Sequence, residues 1–187
     1  VYGGGLLNGV MDGIFSGIGN GFLWDGTLSL IDNMLWDNGG NNGPQHNIYI
    51  NYAKAASQLT SKLIAKGNYI HSVRNGHHLK ARALNADIYG NYFLGTPNYR
   101  NHQFGADSVL LHSCGGGNWN VFNNIFVKTY SQGNFGMYEM GNDDSNTDPL
   151  NTTSHINSYP GTSFTAVCRN NTFIAYSDKV TSNGQNP

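Results

Sequence analysis

Short runs in which apolar and polar residues alternate recur along the chain, each closed by glycine, asparagine or aspartate. This is the pattern of half-buried strands. Five runs align on one asparagine: LSLIDNMLW at Asn33, KLIAKGNYIH at Asn68, ADIYGNYFL at Asn91, WNVFNNIFV at Asn124 and AVCRNNTFI at Asn171. The intervals between them are 35, 23, 33 and 47 residues. Two residues after each asparagine stands Leu35, Ile70, Phe93, Phe126 or Phe173, and three before it stands Leu30, Ala65, Ile88, Val121 or Cys168. Both columns are non-polar throughout. The residue just ahead of the asparagine is Asp32, Gly67, Gly90, Asn123 or Asn170, the types that tolerate a left-handed backbone. A strand, a bend with an asparagine and another strand, repeated at a minimum interval of 23 residues, predict one coil of a parallel β-solenoid. The five asparagines are then expected to stack in a hydrogen-bonded ladder as the coils pile up about 4.8 Å apart.

A second short strand is predicted ahead of each asparagine segment, at 21–24, 46–51, 77–82, 108–112 and 137–140. Alternation sends Ile48 and Ile50, Leu79 and Ala81, Val109 and Leu111 towards the core. The outward columns are then expected to read Asn47, His78, Ser108; Tyr49, Lys80, Leu110, Glu139; and Asn51, Arg82, His112. Variable spacers mark loop insertions, notably 51–60 and the polar run 141–161, with a polar tail at 177–187. Residues 53–66 also match an amphipathic helix, but their end coincides with a repeat, which favours a turn followed by a strand. The whole of 1–187 reads as one domain, with coils over about 20–176.

Composition narrows the class. Charged residues are only 11% of the 187 residues, whereas 25 Gly and 27 Asn crowd the sequence, so turns abound. With 11 Tyr, 9 Phe and 3 Trp, it has too many large apolar side chains for a disordered low-complexity segment. A net charge of −1 with scattered cations gives no footprint for nucleic acid. No stretch is long and apolar enough for a membrane span. The start lacks a basic region and a cleavage site, so it does not read as a signal peptide, and the missing initiator Met suggests a fragment or processed chain. Cys114 and Cys168 are too few for a disulfide framework and lack zinc-ligand spacing. Cys168, in an interior column, is expected to be a buried, inert thiol.

The segments QHNIYI and GNYIH, NGHHLKARA and GNYF, and the late NNTF resemble the right-handed parallel β-helix superfamily, the pectin-lyase-like fold, and in particular its β-helix-repeat proteins. The resemblance covers about residues 20–176. It implies an all-β, right-handed solenoid of about five coils on a bacterial or virion exterior. Many members are polysaccharide lyases, hydrolases or epimerases, and others are tailspikes or adhesins, so a polysaccharide is the implied partner.

In such a fold the polysaccharide lies along the outer face of one parallel sheet, which directs attention to His78, Lys80 and Arg82 with Tyr49, Asn51, His112 and Glu139. Arginine can clamp a carboxylate bidentately and tyrosine offers a ring for stacking. For β-elimination, Lys80 or His78 would take the proton α to the uronate carboxyl and Arg82 would neutralise that carboxyl. The same polar columns are also what a solvated strand face would show. Hydrolysis ranks lower, because it needs paired carboxylates and Glu139 is the only Glu, with Asp107, Asp143 and Asp144 as potential partners. No acidic cluster for Ca²⁺ is visible and no cofactor motif is present, so neither a metal nor a cofactor is expected. His46, His71, His77, His102 and His155 read as turn or surface residues.

Two roles follow. One is a structural or glycan-binding protein that self-associates; the other is a lyase or epimerase acting on an acidic polysaccharide. About five coils would form a stack only about 24 Å tall. Neither end carries an obvious cap, so oligomerisation, a fibre or further chain segments are expected to cover the strand edges.

Overall fold

The computed structural model describes residues 6–8, 22–24, 26–36, 46–52, 62–73, 76–95, 109–113, 117–129, 136–140 and 165–176. Among them lie β1 (Leu6–Asn8), β2 (Phe22–Trp24), β3 (Thr27–Ile31), β4 (Met34–Trp36), β5 (Ile48–Tyr52), β6 (Lys62–Lys66), β7 (Tyr69–His71) and β8 (Leu79–Ala81). They are followed by β9 (Asn85–Tyr89), β10 (Tyr92–Leu94), β11 (Leu111–Ser113), β12 (Asn118–Phe122), β13 (Ile125–Thr129), β14 (Tyr138–Met140), β15 (Thr165–Arg169) and β16 (Thr172–Tyr176). No helix occurs among the described residues, and 62–66, the end of the segment that also matched a helix, is strand β6.

Every third strand joins the same sheet. One sheet runs β1-β4-β7-β10-β13-β16, a second β14-β11-β8-β5-β2 and a third β15-β12-β9-β6-β3. Every pairing among these strands is parallel. Consecutive strands thus lie on different faces and each face stacks by parallel pairing, as in a β-solenoid.

The core follows from the pleat. Leu35, Ile70, Phe93, Phe126 and Phe173 share one register, and Leu30, Ala65, Ile88, Val121 and Cys168 share another. The first four members of each column are buried. The rings of Phe93, Phe126 and Phe173 stack at 4.9 and 5.0 Å between centroids. Trp119 fills the same core and donates its indole N–H to Ala83 O at 3.0 Å. Cys168 keeps its interior register but is exposed, contrary to expectation. The cause is position: β15 ends its sheet, so the column has no further described strand above it.

Between the second and third strands of each repeat the backbone turns left-handed, with φ of 52° at Asp32, 65° at Gly67 and Gly90, 55° at Asn123 and 51° at Asn170. The asparagine that follows each bend is locked to the next. Asn33 N donates to Asn68 Oδ1 at 3.0 Å, Asn68 N to Asn91 Oδ1 at 2.9 Å, Asn91 N to Asn124 Oδ1 at 3.0 Å and Asn124 N to Asn171 Oδ1 at 3.0 Å. The side-chain Nδ2 groups of Asn33, Asn68, Asn91 and Asn124 donate to the same oxygens. Those of Asn68, Asn91, Asn124 and Asn171 also reach back to Leu30 O, Ala65 O, Ile88 O and Val121 O. Each buried amide therefore satisfies a strand carbonyl and its neighbour in one geometry.

Candidate functional site

The sheet containing β5, β8, β11 and β14 sets Tyr49, Lys80, His112 and Glu139 side by side in one column. Lys80 Nζ lies 5.1 Å from the centre of the Tyr49 ring, and Arg82 Cζ lies 5.7 Å from it. Two cations thus share one aromatic ring, an arrangement that holds positive charge near an apolar surface. Lys80 and Glu139 are half-buried, whereas Tyr49, Arg82 and His112 are buried.

This arrangement differs from the alternation-based columns in several places. The residue opposite Lys80 is His112, not Leu110. Strand β11 begins at Leu111, so 109 and 110 lie in the approach to the strand and pack inwards, and the pairing moves by two residues. A shift of two keeps every strand residue on its own face, so Leu111 stays inside while His112 joins the lysine column. Asn47 and His78 are also buried, not outward. Both precede their strands, where the pleat no longer dictates direction. Asn47 Nδ2 donates to His71 O at 2.8 Å, and His78 Nδ1 lies 3.2 Å from Ile70 O. Arg82 follows β8 directly and is buried for the same reason. The side chain of Asn51, and all of Ser108, Asp107, Asp143, Asp144, Cys114, His102 and His155, lie outside the described residues.

Beside this column stands a group of histidines that the sequence reading assigned to turns and surface. His46 is buried, and its ring stacks on that of His77 at 4.8 Å and meets the edge of Tyr49 at 5.4 Å. His77 and His112 approach edge to face at 4.8 Å. The signal for this group was present: His46 and His77 each stand two residues ahead of paired core residues, Ile48 and Leu79. His71 lies elsewhere, stacked on Tyr69 at 4.5 Å and on Trp36 at 6.0 Å.

The hydrogen bonds fix the tautomers. His77 N–H donates to His46 Nδ1 at 2.9 Å, and Val109 N–H donates to His77 Nδ1 at 3.0 Å. An imidazole that accepts at Nδ1 carries its proton on Nε2 when neutral. For His77 that proton faces His112 Nδ1, 3.4 Å away. Burial, then the neighbouring His46, His112 and Lys80 charges, hold the His77 imidazole well below its ordinary 6.5. The neutral form is the folded form.

A pH dependence follows, with a definite sign. The unfolded chain takes up a proton near 6.5 and the folded chain does so only at lower pH. This contribution to stability is complete above about 6.5 and declines as pH falls towards the depressed folded value, by at most about 1.4 kcal/mol per pH unit. Urea midpoints measured between pH 5 and 7.5 should show the slope in the wild type. His77→Gln, whose amide oxygen can still accept the Val109 N–H, should flatten it; an unchanged slope would place the titration elsewhere.

The third sheet presents a different polar face. Lys62 pairs with Asp87 at 2.7 Å, and Asn120 Nδ2 donates to the same carboxylate at 2.9 Å. Burial would raise the Asp87 pKa, but these two partners outweigh it and hold the carboxyl below its ordinary value. Along one edge Tyr89 and Phe122 stack at 4.8 Å between Lys66 and Arg169. These exposed contacts are of the kind that contributes little individually. Among the described residues, no group of three or more His, Cys, Asp or Glu could hold a metal ion, and no helix is long and apolar enough to cross a membrane. Comparison with family models, curated proteins and solved structures finds no match to this chain.

Proposed function

We propose that this chain is a right-handed parallel β-helix of about five coils, of the pectin-lyase-like type, that serves on a cell or virion exterior in a structural or glycan-binding role. The observation that carries the glycan reading is the Tyr49–Lys80–His112–Glu139 column, with Lys80 and Arg82 gathered on one ring. Of the two cations only Lys80 is half-exposed, so it is the group that meets an anionic sugar, while Arg82 stiffens the ring from within.

Retention on an immobilised uronate polysaccharide tests this. The wild type should be held at low ionic strength and released by added salt, because an exposed charge pairing is screened. Lys80→Ala should lose retention with its melting temperature almost unchanged. Equal retention by the two proteins would remove Lys80 from the site. Arg82 is unsuitable for this test, because replacing a buried cation would confound binding with folding.

A second reading, elimination or epimerisation on an acidic polysaccharide, draws on Lys80, which is half-exposed in the column between Tyr49 and His112. Its amine would be the base that takes the proton α to the uronate carboxyl. Release of ultraviolet-absorbing unsaturated uronides would favour it, and binding without turnover would favour the structural role.

A further inference from the structure

The three sheets are unequal by one strand. Two hold five strands and the sheet containing β1 holds six. Without β1, the stack would begin with the edges of β2, β3 and β4 and end with those of β14, β15 and β16. Each sheet is parallel throughout, so these two ends have the same strand direction and one can continue the other. β1 is the single described strand that interrupts that match.

The asparagine ladder is also directional. Each rung donates to the amide oxygen of the next, so the ladder has an acceptor end at Asn33 and a donor end at Asn171. Asn33 Oδ1 is buried and has no hydrogen-bond partner. β1 therefore lies on the sheet edge without completing the ladder. At the other end, Phe173 belongs to a column buried everywhere else, yet it is 51% exposed, and Ile174 after it is exposed too.

We infer that a second copy of this chain fills the joint: β16 of one copy takes the place of β1 on β4 of the next. Continuing the observed registers sets Thr172 against Met34, Phe173 against Leu35 and Ile174 against Trp36. The Asn171 amide then meets Asn33 Oδ1, β15 lies beside β3 and β14 beside β2. One displacement thus satisfies the orphaned acceptor, covers Phe173 and pairs three strand edges. The contact is head-to-tail, so it propagates as a filament and does not close as a dimer. β1 acts as the removable cover that limits this growth. The inference rests on the solenoid reading of the fold and is independent of whether the outer face binds glycan.

Three variants test it by light scattering and electron microscopy across a concentration series. In Leu6→Pro/Leu7→Pro, one of two consecutive amides facing β4 is lost, which weakens β1. This variant should form filaments at lower concentration than the wild type. Thr172 N–H bonds Asn124 O inwards, so the amides of 173 and 175 face the open edge. Adding Ala175→Pro removes one of these outward donors and should return the double variant to monomer. Thr27 and Thr165 would be register partners across the joint, as members of one column. With Cys114→Ser and Cys168→Ser as background, a chain carrying both Thr27→Cys and Thr165→Cys should therefore give covalent multimers beyond dimers on oxidation, unlike either single variant. A double-proline variant that keeps its β circular dichroism and stays monomeric at all concentrations would overturn the inference. So would filaments insensitive to Ala175→Pro, or a doubly substituted cysteine chain that behaves like the single ones. Loss of β circular dichroism in the double-proline variant would point instead to the fold, and the cysteine pair then decides alone.

Discussion

Replacing Asn91 by alanine is expected to lower stability by roughly 2–6 kcal/mol, because two buried backbone groups lose partners at roughly 1–3 kcal/mol each. Asn91 Oδ1 accepts from both Asn68 N at 2.9 Å and Asn68 Nδ2 at 2.8 Å, while its own Nδ2 donates to Ala65 O at 2.9 Å and Asn124 Oδ1 at 2.9 Å. Alanine leaves the Asn68 N–H without that acceptor and Ala65 O without that donor, in a bend that water does not reach. For a chain of this length the loss corresponds to a fall of roughly 10 °C in melting temperature. Asn120→Ala is the control. That residue is exposed and bonds only Asp87 in the described contacts, so its loss should change stability by no more than about 0.5 kcal/mol. Equal effects of the two substitutions would mean that the ladder is not a structural element.

Phe93→Ala is expected to cost about 3–5 kcal/mol. Phe93 is fully buried in the middle of its column and lies parallel to Phe126, with 4.9 Å between centroids and 5° between planes. Its removal opens a cavity that β7 and β13 on either side hold open through their own pairing. Phe173→Ala changes the same residue type in the same column, yet should cost the single chain about 1 kcal/mol or less, because half of that side chain is already in water. If head-to-tail stacking covers Phe173, its replacement should instead weaken filament formation. Denaturant unfolding of the two variants, measured at a concentration that favours the single chain, separates the two costs. A large loss in Phe173→Ala under those conditions would show that something other than a second copy covers that ring.

The candidate site was legible only where residues lie within a strand. Tyr49 and Lys80 are paired in β5 and β8, and alternation places them together without further information. His78, Arg82 and Asn47 stand beside strands, and the direction of a side chain in a bend depends on local φ and ψ and not on the pleat. His46 and His77 were missed as a group because their shared offset, two residues ahead of Ile48 and Leu79, lies before the strands in which alternation can be read. Their proximity depends on two approaches to strands being stacked on each other.

The sequence by itself determined the parallel, strand-on-strand character of this protein. An apolar residue two positions after each asparagine, and a left-handed-tolerant residue just before it, must repeat in register if consecutive segments stack, and the sheets join these same residues. Those constraints are local, so a linear pattern can record them. Only the tertiary structure decided which column members are buried. Cys168 and Phe173 have the apolar character of their columns, but burial also requires a neighbour on the far side, and β15 and β16 lie at the edges of their sheets. The tertiary structure also decided that His112, and not Leu110, stands beside Lys80, because where a strand starts after a bend is set by how the preceding coil packs beneath it.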